Sequence, residues 1–82
     1  MKYGIAFKPK AVKDLRDLPK LIQGKILEKI QLMENDLAGD VKKLTNFTTE
    51  YRLRVGNYRV LFEIEDTNIV NYRVKPRDKA YQ

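Results

Sequence analysis

The sequence predicts an α+β fold: a helical hairpin packed on one face of a small, mainly antiparallel four-stranded sheet, in the order β-α-α-β-β-β. A short C-terminal turn or helix follows. Three observations carry this expectation. Apolar residues recur at helical spacing between residues 12 and 37. They alternate with polar ones at the start of the chain and again from Tyr51 to Val74. Turn residues at Gly56-Asn57 and Asp66-Thr67-Asn68 divide that second stretch into three strands.

Each element has its own signals. Tyr3, Ile5 and Phe7 alternate with smaller or charged residues and read as the first strand. Pro9 suits the first turn of a helix, because its missing N–H would be unbonded there in any case. Val12, Leu15 and Leu18 line one face of that helix, and Pro19 closes it. A second helix starts near Leu21, carries Ile22, Ile26, Ile30, Met33 and Leu37, and ends near Gly39. Thr45 to Thr49 is polar and turn-like. Pro76 ends the last strand, and Arg77 to Gln82 form the C-terminal turn or helix.

The chain of 82 residues reads as a single domain, 1–82. It has no cysteine and no histidine, so disulfides and a histidine-based metal site or triad are excluded. No metal and no small-molecule cofactor is expected. Seventeen Lys and Arg against eleven Asp and Glu give a net charge of +6, which favours a polyanionic partner. The apolar runs are too short to span a bilayer, so no membrane association is expected and the reading is a soluble, cytoplasmic protein.

The hairpin turns fix which residues face each other. A two-residue loop at Gly56-Asn57 sets Val55 opposite Tyr58, Arg54 opposite Arg59 and Arg52 opposite Leu61. A three-residue loop at Asp66-Thr67-Asn68 keeps the apolar residues on one side. It sets Ile64 opposite Val70, Phe62 opposite Tyr72, Leu61 opposite Arg73 and Arg59 opposite Lys75. One face then carries Tyr51, Leu53, Val55, Tyr58, Val60, Phe62, Ile64, Val70, Tyr72 and Val74 and packs beneath the helices. The other carries Arg52, Arg54, Arg59, Arg73 and Lys75, with Arg54, Arg59 and Lys75 in a row across three strands. Facing like charges destabilise a sheet by up to about 1 kcal/mol per pair, so a row without acids points to an anion-binding face. Charged strand faces also guard against aggregation, which accounts for one or two of these residues.

The stretch Tyr51-Arg52-Leu53-Arg54-Val55-Gly56-Asn57-Tyr58-Arg59, together with the Lys79-Ala80-Tyr81 ending, resembles the RelE/ParE superfamily of toxins from type II toxin–antitoxin systems. The likeness covers nearly the whole chain. It implies a RelE-type mRNA interferase: a metal-independent endoribonuclease that cleaves mRNA in the ribosomal A site and is neutralised by a cognate acidic antitoxin. Its partners would be that antitoxin, mRNA and the ribosome with its rRNA. By position, the resemblance assigns Arg52, Arg54, Arg59, Lys75 and Tyr81 to catalysis, with Arg59 on the scissile phosphate. Many relatives carry a histidine where this chain has Pro76, so the proton acceptor stays open between Lys75 and Tyr81, and Tyr81 also suits stacking on a base. Arginine stays protonated and supplies paired donors for the phosphorane. Arg73, Arg77 and Lys79 are expected to bind RNA, while Lys42 and Lys43 read as surface charges within reach of rRNA.

Two other functions fit the same chain. A ParE-like toxin would inhibit gyrase without cutting RNA, and a non-catalytic module would bind nucleic acid or an acidic protein through charge alone.

Overall fold

A computed structural model describes residues 1–81. The elements run β1 (Gly4–Phe7), α1 (Pro9–Arg16), α2 (Lys20–Leu32), β2 (Val41–Lys43), β3 (Tyr51–Val55), β4 (Tyr58–Glu65) and β5 (Asn68–Pro76), then a 3-10 turn at Arg77–Lys79. The α+β class and the helical hairpin are as the sequence predicts. The sheet, however, has five strands, in the order β1-β5-β4-β3-β2. The strand absent from the four-stranded expectation is β2, three residues with a single apolar side chain, too short for an alternating pattern to register. It pairs antiparallel to β3, with Lys42 opposite Arg52. β1 is the one parallel strand and lies along the first half of β5.

The core forms where the helices meet the sheet. Ile26, Ile30 and Met33 from α2 and its C-cap, with Leu15 from α1, pack on Leu53, Val60, Phe62, Ile69 and Val74. Tyr51 stacks on Phe62 directly across the β3–β4 ladder, with ring centroids 5.4 Å apart. α2 stops at Leu32, earlier than its apolar spacing suggests. Met33 is still buried as the C-cap, but Asp36 and Leu37 take positive φ values of 54° and 58°, which turn the chain back toward β2.

The first hairpin has the predicted register, with Gly56 at φ 55° in the tight turn. The second does not. Its loop has two residues, Asp66 and Thr67, with Asp66 at φ 57°, and pairs Ile64 with Ile69 and Phe62 with Asn71. A bulge at Tyr72 then restores the expected pairs Leu61–Arg73 and Arg59–Lys75. Ile69 therefore takes the core position expected of Val70, while Val70 and Tyr72 leave the core face.

β5 outruns β1 by several residues, which leaves its upper edge without a strand partner. Asp14 of α1 fills that gap: its carboxylate accepts the Val74 N–H at 2.9 Å.

Candidate nucleic-acid interface

The helix-free face of the sheet carries the cations. Arg54, Arg59 and Lys75 do form a row: the turn at Gly56-Asn57 sets Arg54 opposite Arg59, and the bulge at Tyr72 brings Lys75 opposite Arg59. The chain then folds over part of this face. Residues 44–50 close into a loop through a hydrogen bond from the Leu44 N–H to the Glu50 carbonyl, and the C-terminal turn is anchored by the Arg77 N–H on the Asn57 carbonyl at 2.7 Å. That second bond places Arg77 beside the hairpin that carries Arg54 and Arg59.

The result is an open concavity of about 610 Å³ lined by Lys42, Arg52, Arg54, Arg59, Arg77 and Tyr81, together with Leu44, Thr45 and Phe47. Five cations thus converge on one hollow. Phe47 and Tyr81 meet edge to face, with ring centroids 5.4 Å apart, and Tyr81 is 47% exposed.

Arg59 is the most unusual of these residues. It is only 8% exposed, and its Nη1 donates to the carbonyls of Gly56 and Tyr58, each at 3.0 Å. No carboxylate of residues 1–81 forms an ion pair with it. A buried cation is normally compensated by an anion, whereas the partners of this one are two backbone carbonyls.

Arg52 and Arg54 are differently placed. Both engage Asp40, Arg52 through Nη1 at 3.0 Å and Arg54 through Nε at 2.6 Å. Arg52 also donates to the Asp40 carbonyl at 2.7 Å. The hydrogen bond from Arg52, helped by the charge of Arg54, holds the Asp40 carboxyl below the usual aspartate range. The row is therefore not free of acids, as the sequence suggested. One carboxylate, delivered by the β2 edge, orders two guanidinium groups at the rim of the hollow.

Three expected site residues lie elsewhere. Arg73 is tied by Asp14, through Nε at 2.8 Å and Nη2 at 3.2 Å, which is a structural clamp between α1 and β5. Lys75 lines a neighbouring cavity on the other side of Phe47. Lys79 is exposed on the C-terminal turn and lines neither. Sequence reasoning missed Asp40 and Phe47 and undervalued Lys42. Lys42 is drawn in only because β2 joins the sheet, and a three-residue strand leaves no readable pattern.

Over residues 5–81 the sequence matches the family described as the ParE toxin of the type II toxin–antitoxin system parDE. The chain belongs to this RelE/ParE superfamily of toxins from type II toxin–antitoxin systems. Within it, the chain is of the RelE type. It is 37% identical over 82 residues to Toxin RelE3 of Methanocaldococcus jannaschii, a match covering 94% of this chain and 93% of that protein. The RelE–RelB complex of Pyrococcus horikoshii contains a chain 32% identical with a TM-score of 0.78, covering 98% of this chain and all (100%) of that one. The RelBE2 toxin–antitoxin complex of Mycobacterium tuberculosis superposes with a TM-score of 0.82 at 28% identity, covering 94% of this chain and 100% of that one.

Proposed function

We propose that this toxin is a ribosome-dependent endoribonuclease that cleaves mRNA in the A site. A ribose 2′-hydroxyl attacks the adjacent phosphorus, the bond to the 5′-oxygen breaks, and a 2′,3′-cyclic phosphate and a 5′-hydroxyl result. The reaction needs positive charge on the phosphorane, a proton acceptor for the 2′-hydroxyl and a proton for the leaving oxygen. Arg59 faces the scissile phosphate, Arg54 shares the phosphorane charge, and Arg52 and Arg77 grip flanking phosphates. Tyr81, which opens onto the hollow, stacks on a base or handles a proton. Lys75 acts from beyond Phe47, at the far end of the row. The ribosome supplies in-line orientation of the strand, which is worth several kcal/mol in general.

The observation that carries this reading is Arg59: nearly buried, in no ion pair among the described residues, and set among four further cations. Primer-extension mapping of cuts in translated mRNA tests it. Arg59→Ala is expected to lower the cleavage rate by about 10²–10³, as loss of one donor to a developing anion does. Unchanged cutting by the variant removes Arg59 from the mechanism.

A cognate antitoxin is part of the same proposal, on the strength of the RelB-bound relatives. Its acidic residues would meet the five cations, and its apolar ones the half-exposed Leu27 and Leu32 of α2. The toxin then acts in the cytoplasm, where translation takes place. Because the matching family is described by its ParE members, a gyrase-directed toxin is the second reading. Inhibition of gyrase supercoiling without mRNA cleavage would select it.

A further inference from the structure

Phe47 lines the basic hollow, yet the reaction proposed above gives it no part. Its ring stands between that hollow and the neighbouring cavity and lines both. Leu44 and Thr45, before it in the chain, line the basic side, and Thr48 and Thr49, after it, line the other. Residues 44–50 thus cross the sheet face as a ridge with Phe47 at its crest.

The local backbone directs the ring there. The base of the loop is closed by the Leu44 N–H on the Glu50 carbonyl at 2.7 Å and by an ion pair of Lys43 with Glu50 at 4.0 Å. Asn46 takes a left-handed φ of 56°, which asparagine tolerates better than most residues, and so turns the chain immediately before Phe47. Leu61 and Ala80, which share a cavity with Phe47, are buried apart from the core beneath the helices.

Tyr81 needs such a support. Buried Ala80 and the bond from the Arg77 N–H to the Asn57 carbonyl root the C-terminal turn. The Tyr81 side chain beyond them is half exposed, so burial alone does not select one orientation of its ring. Phe47 meets that ring with an interplanar angle of 85°, the edge-to-face arrangement that aromatic quadrupoles favour.

We propose that Phe47 is a positioning residue for the reaction: it holds the Tyr81 ring in one orientation over the hollow where Arg52, Arg54, Arg59 and Arg77 converge. The inference rests on the RNA-cleaving reading above and adds to it a residue that need touch neither phosphate nor ribose. Phe47 carries no charge and no group that transfers a proton, so its contribution passes through Tyr81. A ring that stacked on RNA itself would act independently of Tyr81. A ring that merely covered Leu61 and Ala80 would be replaceable by any apolar side chain of similar size.

The test is cleavage of mRNA on programmed ribosomes, with the maximal rate and the half-saturating toxin concentration read separately. Phe47→Leu keeps an apolar side chain over Leu61 and Ala80 but removes the ring. It should lower the maximal rate about fivefold, within the range over which one edge-to-face pair biases an orientation, and leave the half-saturating concentration unchanged. Phe47→Tyr, which retains a ring, should cut at the parent rate. In a Tyr81→Ala background, itself slower than the parent, Phe47→Leu should cause no further loss. In NMR spectra of the free toxin, Phe47→Leu should move the Tyr81 ring signals while the Asn57 and Arg77 amides stay in place. The proposal is overturned if Phe47→Leu cuts at the parent rate, if the losses of the two substitutions multiply, or if the Tyr81 ring signals do not move. A loss confined to the half-saturating concentration would make Phe47 a direct RNA contact, and displaced Asn57 and Arg77 amides would make it packing for the turn; either result overturns it as well. A parent toxin that cuts nothing sinks the nuclease reading and this role together, whereas cutting by the parent with multiplying losses sinks the positioning role alone.

Discussion

Asp14 offers a sharp test of how α1 is held to the sheet. Its carboxylate accepts three hydrogen bonds, two from Arg73 and one from the Val74 N–H. Sheltered hydrogen bonds to a charged group are worth about 1.5–3 kcal/mol each, whereas exposed ion pairs yield about 0–1 kcal/mol. The Asp14 and Arg73 side chains are 18% and 35% exposed, so the cluster lies between those limits. Replacing Asp14 by Ala should cost about 1.5 kcal/mol after the better helix propensity of alanine is allowed for. For a domain of this size that lowers the melting temperature by about 6–12 °C. The effect should also depend on pH. Burial alone would raise the Asp14 carboxyl, but the Arg73 hydrogen bond, the Val74 N–H and the charges of Arg73 and Lys75 outweigh it, so the carboxyl ionises at a lower pH than usual. A group depressed on folding stabilises fully above its unfolded value, about 3.9 for aspartate, and that contribution is lost as pH falls through the lower folded value. The gap in melting temperature between parent and Asp14→Ala, followed by circular dichroism, should thus hold steady from about pH 8 to pH 5 and close in stronger acid. Cleavage activity should survive at temperatures where the variant is folded. Equal melting temperatures at neutral pH, or a gap that widens in acid, would refute the clamp.

Two further outcomes are expected. Asp40→Asn removes the carboxylate that engages Arg52 and Arg54, so a short RNA should bind about threefold more tightly at low salt, with the salt slope steeper by about one; anisotropy titrations at several salt concentrations read both. An unchanged slope would mean that Asp40 does not compete with phosphate. Tyr72, whose phenol is pushed up to about 12 by its hydrogen bond to Glu65, should be among the last tyrosines to ionise in an ultraviolet titration. Folding favours its neutral form, so its stabilising effect is present below the ordinary tyrosine value and lost as pH rises through about 12. Glu65→Gln should bring that step down, and a step that does not move would disprove the link.

Much of the site was legible because a tight turn does the counting. Gly56-Asn57 sets the β3–β4 register, and from it the Arg54–Arg59 pair follows without coordinates; Lys75 completes the row only because the bulge at Tyr72 offsets the misread second turn. The second turn misled because Asp66 adopts a left-handed conformation that few residues take, which shortens the loop by one residue; the bulge at Tyr72 then hides the slip at the far end of the strand. A simple alternation rule sees neither event. The pairing of Arg52 and Arg54 with Asp40 was out of reach for another reason. It requires β2 beside β3, and the short Val41–Lys43 segment gives no periodic signal. Arg73 shows the converse limit: its register position was right, but its side chain reaches around the sheet edge to α1.

The lengths of the outermost strands bear on how the toxin behaves at high concentration. Sheets that end in long, flat, apolar margins invite other chains to add on and grow into fibres. Here one margin is four residues long and the other only three, two of them lysines, while the overhang of the strand next to the longer margin is capped by a side chain from a helix. Neither border offers a template long enough for open-ended growth, so this small domain keeps its hydrogen-bonding edges closed to copies of itself while leaving its charged face open.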